Sequence, residues 1–155
     1  MDIRVISPEG EAVSALLAQA TAYAANLYPS ESNHLDDAAE LSKPNVRFIG
    51  AFIGNELAGI GAVKVLCDDV IYGEIKRVFI APESRGLGLS KTLMNALEQL
   101  LRDDDVLLCR LETGVKQPEA IGLYSKLGYR VREPFGDYRV DPLSIFMEKK
   151  LDPVA

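Results

Sequence analysis

Apolar positions along the chain switch period repeatedly between two and about 3.6, the mark of interleaved strands and helices. Asp2 to Ser7 reads as a short strand. Val13, Leu16, Leu17, Ala20, Ala24 and Leu27 then recur at helical spacing and predict an amphipathic first helix. Tyr28 to His34 is polar and turn-rich, and a short helix is expected from Asp36 to Leu41. Arg47 to Ile53 and Glu56 to Leu66 read as two strands, joined by a hairpin signal at Gly54-Asn55. Cys67-Asp68-Asp69 turns the chain into a third long strand, Val70 to Ile80, which Pro82 ends. Leu89, Leu93, Leu97 and Leu101 predict a helix reaching Arg102. Asp103-Asp104-Asp105 is a solvated turn, and Val106 to Thr113 is a strand. Pro118 sits in the first turn of a last helix that runs to Leu127, and Gly128 is placed as its left-handed stop. Tyr129 to Glu133 and Ser144 to Lys149 are late strands around the loop from Pro134 to Pro142.

The order β α α β β β α β α β β predicts the α/β class, with a central mixed sheet and helices on both faces. At 155 residues the chain can bury a core as a single domain, 1–155, without disulfides or metals. The net charge of −6 argues against nucleic acid or an anionic membrane as the main partner, and it suits a small cationic substrate. No stretch approaches a membrane span and a strand pattern begins at Met1, so a cytoplasmic location is expected. Cys67 and Cys109 lie in apolar runs and read as two buried free thiols. With His34 the one histidine, no metal site is expected.

Chemistry concentrates after the third long strand. The run Val78-Phe79-Ile80 empties through Arg85-Gly86-Leu87-Gly88-Leu89-Ser90-Lys91 into a helix. A glycine loop opening a helix leaves amides unpaired at the positive end of the helix dipole, which is a seat for phosphate or pyrophosphate. The loop lacks the Gly-Lys-Ser/Thr of a P-loop. Upstream, Glu74 lies near the middle of its strand; alternation puts it on one face with Tyr72, Lys76, Val78 and Ile80. Partial burial there would raise its pKa toward that of a general base, although a carboxylate paired with Lys76 or Arg77 fits the spacing too. Downstream, Tyr124 falls on the apolar stripe of the last helix, where a core aromatic with its hydroxyl at the edge is the plain reading. A β-α-β crossover from the Glu74 strand to the Val106 strand makes the two parallel neighbours, with the glycine loop at the carboxyl end of the first.

Two motifs in this order resemble the GNAT superfamily of acyl-CoA-dependent N-acetyltransferases. The family's Gln/Arg-x-x-Gly-x-Gly/Ala is matched by Arg85-Gly86-Leu87-Gly88-Leu89-Ser90, with Ser90 in the last place. Its later Asn-x-x-Ala-x-x-Leu-Tyr-x-x-x-Gly-Phe/Tyr is matched from Gln117 to Tyr129, with Gln117 replacing asparagine. The resemblance spans essentially the whole chain and is strongest from Gly73 to Tyr129. It implies a mostly antiparallel sheet with one splayed parallel strand pair and acetyl-CoA in the gap between them, with no metal. It implies pyrophosphate on the amides of Arg85, Gly86, Leu87, Gly88, Leu89, Ser90 and Lys91, and pantetheine along Val78, Phe79 and Ile80. A backbone N–H near Val78 would polarise the acetyl carbonyl, Gln117 would border the donor, Glu74 would act as base and Tyr124 as acid. The acceptor site would be walled by residues 28–35 and 134–139, with His34, Glu112, Asp137 and Tyr138 orienting the amine of a small molecule, amino acid or peptide-like acceptor. Homodimers are frequent in the family. An acyl-CoA-binding sensor with little turnover is the alternative of another class.

Overall fold

All of these elements form, in the expected order, in the computed structural model, which describes residues 1–153. Seven strands, β1 (Asp2–Val5), β2 (Val46–Ile53), β3 (Glu56–Cys67), β4 (Ile71–Ile80), β5 (Leu108–Gly114), β6 (Arg130–Arg132) and β7 (Ser144–Lys150), make one sheet. Their spatial order is β1-β2-β3-β4-β5-β7-β6. Four helices cover it: α1 (Glu11–Leu27), α2 (Ala38–Leu41), α3 (Leu89–Asp103) and α4 (Pro118–Lys126).

Leu89, Leu93, Met94, Leu97 and Leu101 of α3 bury against Ile49, Val63, Ile75 and Leu111 on one face of the sheet. Each such side chain contributes roughly 1.5–3 kcal/mol on full burial. Val13, Leu16 and Leu17 of α1, with Leu41 of α2, cover Phe48, Ile60 and Ala62 on the other face. A third cluster, Tyr72 with Phe135 and Phe146, holds the loop between β6 and β7 down on the sheet. The guanidinium of Arg110 stacks 4.5 Å from the Tyr72 ring there.

One strand pair differs from the rest. β4 and β5 run parallel, and their ladder consists of Gly73↔Cys109 and Glu74↔Arg110. From Ile75 onward β4 has no partner on its β5 side, so the strands splay.

A second irregularity lies three residues beyond. Arg77 has φ 58, in the left-handed region, and the β3–β4 register shifts from Ala62↔Lys76 to Ile60↔Phe79. Two residues, Arg77 and Val78, therefore stand opposite Gly61 in a β-bulge. The bulge reverses the phase that simple alternation predicts. Val78 and Ile80 face α3, with a Val78 methyl 3.2 Å from where a Cβ on Gly61 would lie. Phe79 instead joins the α1 side, the side of Tyr72, Glu74 and Lys76.

Cys109 is buried as expected, but Cys67 is exposed, because it closes β3 at the turn rather than within the ladder's covered part. Among the described residues no helix is long and apolar enough to cross a membrane.

Candidate active site

The splay opens a cleft of about 540 Å³ lined by Val78, Phe79, Ile80, Arg85, Gly86, Gly88, Leu89, Ser90, Lys91, Gln117 and Tyr124. Gly86 and Gly88 have φ 85 and 77, while a Cβ on either would meet nothing within 4 Å. Backbone conformation, not crowding, is what requires glycine there. The first backbone bond of α3 runs from Thr92 N–H to the Gly88 carbonyl at 3.2 Å. The amides from Gly86 to Lys91 have no backbone partner among the described residues, which leaves an anion seat at the helix start. Arg85 is held over the rings of Phe79 (5.5 Å) and Tyr23 (5.9 Å) at the mouth of this seat. The side chain of Leu87 is 57% exposed and lies outside the cleft lining, so of Leu87 only the backbone bears on the site.

Gly88→Val tests the seat. A β-branched residue at φ 77 is strained by about 1–2 kcal/mol and pulls the loop out of shape. The variant is expected to keep its fold and lose the rise in melting temperature that acetyl-CoA gives the wild type; a retained rise contradicts the assignment.

Toward the β4–β5 junction the cleft narrows to a passage of about 160 Å³, lined by Arg77, Val78, Glu112, Thr113 and Tyr124. Tyr124 reaches it from α4, its ring edge-on to Tyr129 at 6.0 Å. Burial pushes the Tyr124 hydroxyl up to about 12, so it keeps its proton at any physiological pH. Glu112 enters from β5 and accepts a hydrogen bond from the Ser144 hydroxyl at 2.7 Å. Burial raises its pKa above the usual carboxylate value, and Ser144 opposes the rise. Gln117, at the start of α4, has its carboxamide oxygen occupied by the Tyr28 hydroxyl at 3.2 Å.

His34 lines both the passage and a chamber of about 780 Å³ on the α1 side of the sheet. Glu74 lies in this chamber and not in the passage, only 4% exposed. The Tyr138 hydroxyl donates to its Oε2 at 2.6 Å, and Lys76 Nζ stands 3.6 Å away. Lys76 also donates to the His34 carbonyl and to the Tyr138 oxygen, both at 3.1 Å, and lies 3.4 Å from Asp36. The Tyr138 ring packs edge-on against His34 at 5.1 Å, and burial together with the Glu74 charge raises its hydroxyl pKa far above normal. Asp137 lines the same chamber. Six carboxylates line it against three Lys and Arg side chains, two of which, Lys64 and Lys76, are already ion-paired. Its field therefore favours cations.

The expected donor residues thus share one cleft, apart from the Leu87 side chain. Glu74, His34, Asp137 and Tyr138 share the chamber, and Glu112 stands between. The placements of Arg77 and Tyr28 escape sequence reasoning: a bulge with no sequence signature turns Arg77 under α1 and away from Glu74, and Tyr28 meets its partners about 90 residues away. Among the described residues no cluster of His, Cys, Asp and Glu is arranged to hold a metal ion.

A mostly antiparallel sheet whose one parallel pair splays beside a glycine-opened helix is the architecture of acyl-CoA N-acyltransferases, and solved structures of that class superpose on it. A candidate acyl-CoA N-acyltransferase from Klebsiella pneumoniae matches with TM-score 0.81 and 36% identity over 97% of each chain. The PaiA N-acetyltransferase of Thermoplasma acidophilum, solved with coenzyme A, shares the fold at TM-score 0.75 and 23% identity, over 96% of this chain and 98% of that one. The model of the acetyltransferase (GNAT) family matches residues 13–129, and the chain belongs to that family. It is also similar to the IAA acetyltransferase of Azospirillum brasilense, 42% identical over 94% of each chain. The uncharacterized N-acetyltransferase YedL of Escherichia coli K12 is 36% identical over 90% of this chain and 88% of its own.

Proposed function

We propose that this chain, acting as one domain, is an N-acetyltransferase that moves the acetyl group of acetyl-CoA onto the amine of a small polar acceptor by direct attack. The observation that carries the reading is a run of three adjoining cavities with shared walls. The donor cleft and the passage share Val78, Thr113, Gln117 and Tyr124, and the passage and the acidic chamber share Asn33, His34 and Leu35.

Acetyl-CoA supplies the activated acetyl group. The amides of residues 86–91 hold its pyrophosphate with the help of Arg85, and the unpaired edge of Val78, Phe79 and Ile80 pairs with its pantetheine as an added strand. The Val78 N–H polarises the acetyl carbonyl. The acidic chamber, with Glu74, Asp137 and His34 on its wall, draws in the ammonium form of the acceptor and leads it toward the passage. Two carboxylates could take the proton that the amine must lose. Glu112 is favoured, because it lines the same passage as Tyr124 and its pKa is raised above the usual carboxylate value, as a general base needs. As the N–C bond forms and the C–S bond breaks, Tyr124 donates to the departing sulfur. The exposed, unpaired thiol of Cys67 suits a reducing cytoplasm.

Paired variants test these roles. Glu112→Gln is expected to lower kcat most strongly around neutral pH, where the carboxylate is ionised and the amine is still protonated, and to match the wild type at low pH, whereas Glu74→Gln is expected to raise the acceptor KM with a smaller change in kcat. The reverse pattern exchanges the two roles. Glu112 also carries a stability signature with a definite sign. Its pKa is raised in the folded state, so its stabilising contribution is complete below the unfolded value near ~4.3 and is lost as pH rises through the folded pKa. Glu112→Gln is therefore expected to melt higher than the wild type at neutral pH and level with it under acid conditions. A lower melting temperature at neutral pH contradicts the burial assigned to this carboxylate.

A further inference from the structure

Ser144 touches the proposed base and has no task in the chemistry described so far. It opens β7, whose register sets Ser144 opposite Gly114 and Phe146 opposite Glu112. Side chains two residues apart share one face of a sheet, so Ser144 is the diagonal neighbour of Glu112. Gly114 brings no side chain between them, and the Tyr28 ring fills its place. The Ser144 hydroxyl donates to Glu112 Oε2 at 2.7 Å. Glu112 Oε1 has no hydrogen-bond partner among the described residues and is not sealed from solvent, and the side chain lines the passage. One oxygen is held and the other is free. The serine is itself fastened. Its amide donates to the Asp141 carbonyl at 3.0 Å, and the Leu143 amide donates to Asp141 Oδ1 at 2.8 Å. Asp141 Oδ2 accepts from Ser32 Oγ at 2.7 Å, which ties the start of β7 to the segment that brings His34 to the passage.

From this geometry, and resting on Glu112 as the base of the acetyl-transfer reading above, we infer that Ser144 is a positioning residue: it holds Glu112 by one oxygen and so presents the other to the ammonium of the acceptor. A general base must stand within hydrogen-bond reach of the proton it takes, and an untethered glutamate spreads over several rotamers. The same bond acts on charge. A hydroxyl that donates to a carboxylate favours the ionised form, so Ser144 opposes the rise in pKa that burial causes. Of the other groups around Glu112, His34 and Lys76 also favour its ionisation, and Glu74 of β4 disfavours it. Arg77 of β4, Tyr28 at the end of α1 and Tyr124 of α4 line the same passage, and the Tyr138 hydroxyl lies within the field of Glu112. Among the described residues, Ser144 alone is hydrogen-bonded to the carboxylate.

The test follows thiol release from acetyl-CoA across pH, with the full chain and whichever amine of a panel of amino acids and simple amines it turns over fastest. Ser144→Ala is expected to lower kcat at neutral pH by about tenfold and to leave both KM values within about threefold. The acid limb of kcat should move up by about one pH unit, the scale of a lost hydrogen bond to a charged group. Ser144→Thr keeps the hydroxyl and suits a strand, so it is expected to return the limb to its wild-type position. Carboxyl-carbon NMR of Glu112, assigned by the signal that Glu112→Gln removes, should show the same upward move without turnover. Glu112→Gln runs beside these variants. If it loses the neutral-pH rate while Ser144→Ala keeps the rate and the limb, or merely melts lower, the inference is overturned and Glu112 stands as the base. If Glu112→Gln keeps the wild-type profile, the base assignment falls and the inference with it, and acetyl transfer stands. Absence of thiol release with every amine overturns all three.

Discussion

Tyr124→Phe is expected to lower kcat by about 100-fold while acetyl-CoA binds nearly as well as before. The magnitude follows from the task. A donor placed at a developing negative charge in a dry site contributes two to three orders of magnitude. Among the described residues the Tyr124 hydroxyl has no hydrogen-bond partner, and it lies where the donor cleft meets the passage. Its removal therefore breaks nothing in the fold, and the melting temperature should stay level or rise. Burial sharpens the role. A phenol pushed up to about 12 does not surrender its proton fully to an alkyl thiolate, whose ordinary pKa is near ~8.5. Tyr124 thus acts as a hydrogen-bond donor that stabilises charge on sulfur, with solvent completing the protonation. The rate should accordingly show no alkaline fall from this group between about pH 8 and 10, since its proton is lost only near its raised pKa. A variant with unchanged kcat, or with a sharp loss of acetyl-CoA affinity, would contradict the role.

The second large effect falls on stability, at a glycine outside both family motifs. A Cβ on Gly114 would lie 1.8 Å from the Tyr28 hydroxyl oxygen and 2.1 Å from Tyr28 Cζ, distances no structure tolerates. Tyr28 is 8% exposed, and its hydroxyl accepts from the Lys116 amide at 3.1 Å while donating to Gln117. It thereby ties the end of α1 to the turn between β5 and α4. Gly114→Ala must displace that ring, at about 2–3 kcal/mol by the measure of overpacked cores. For a chain of this size that is a fall of roughly 5–10 °C in melting temperature. The cause can be isolated by a double-mutant cycle: Tyr28→Ala removes the obstacle, so Gly114→Ala added to it should cost much less than it costs alone. Additive losses would mean that the clash is not the cause.

The two effects divide the molecule into what its sequence makes legible and what only the folded chain reveals. Hydrophobic period sets out the strands and helices, because each buries one face or one stripe. Gly86 and Gly88 stand out because a left-handed backbone beside a helix start demands glycine. Tyr124 is legible through its offset from Gly128 and Tyr129 in a known motif. Other features arise through space. The phase of β4 is reversed by a bulge at an arginine, a residue with no turn propensity, so alternation from Glu74 puts Val78 and Ile80 on the wrong face. The division of labour between Glu74 and Glu112 depends on where two strands stop pairing. Tyr138 reaches Glu74 across 64 residues of sequence and Tyr28 reaches Gln117 across 89, and neither pairing leaves a local trace.

The central claim is that one path carries an acetyl group from the donor cleft through the passage to an amine. Free-thiol release from acetyl-CoA tests it most directly, measured with and without a mixture of amino acids and simple amines and compared by mass spectrometry with the acetylated amine formed. The account predicts saturable, amine-dependent release, matched mole for mole by acetylated product and largely lost in Tyr124→Phe. Acetyl-CoA that raises the melting temperature yet releases no thiol with any amine would contradict it, and would make the chain a binding module on the same fold.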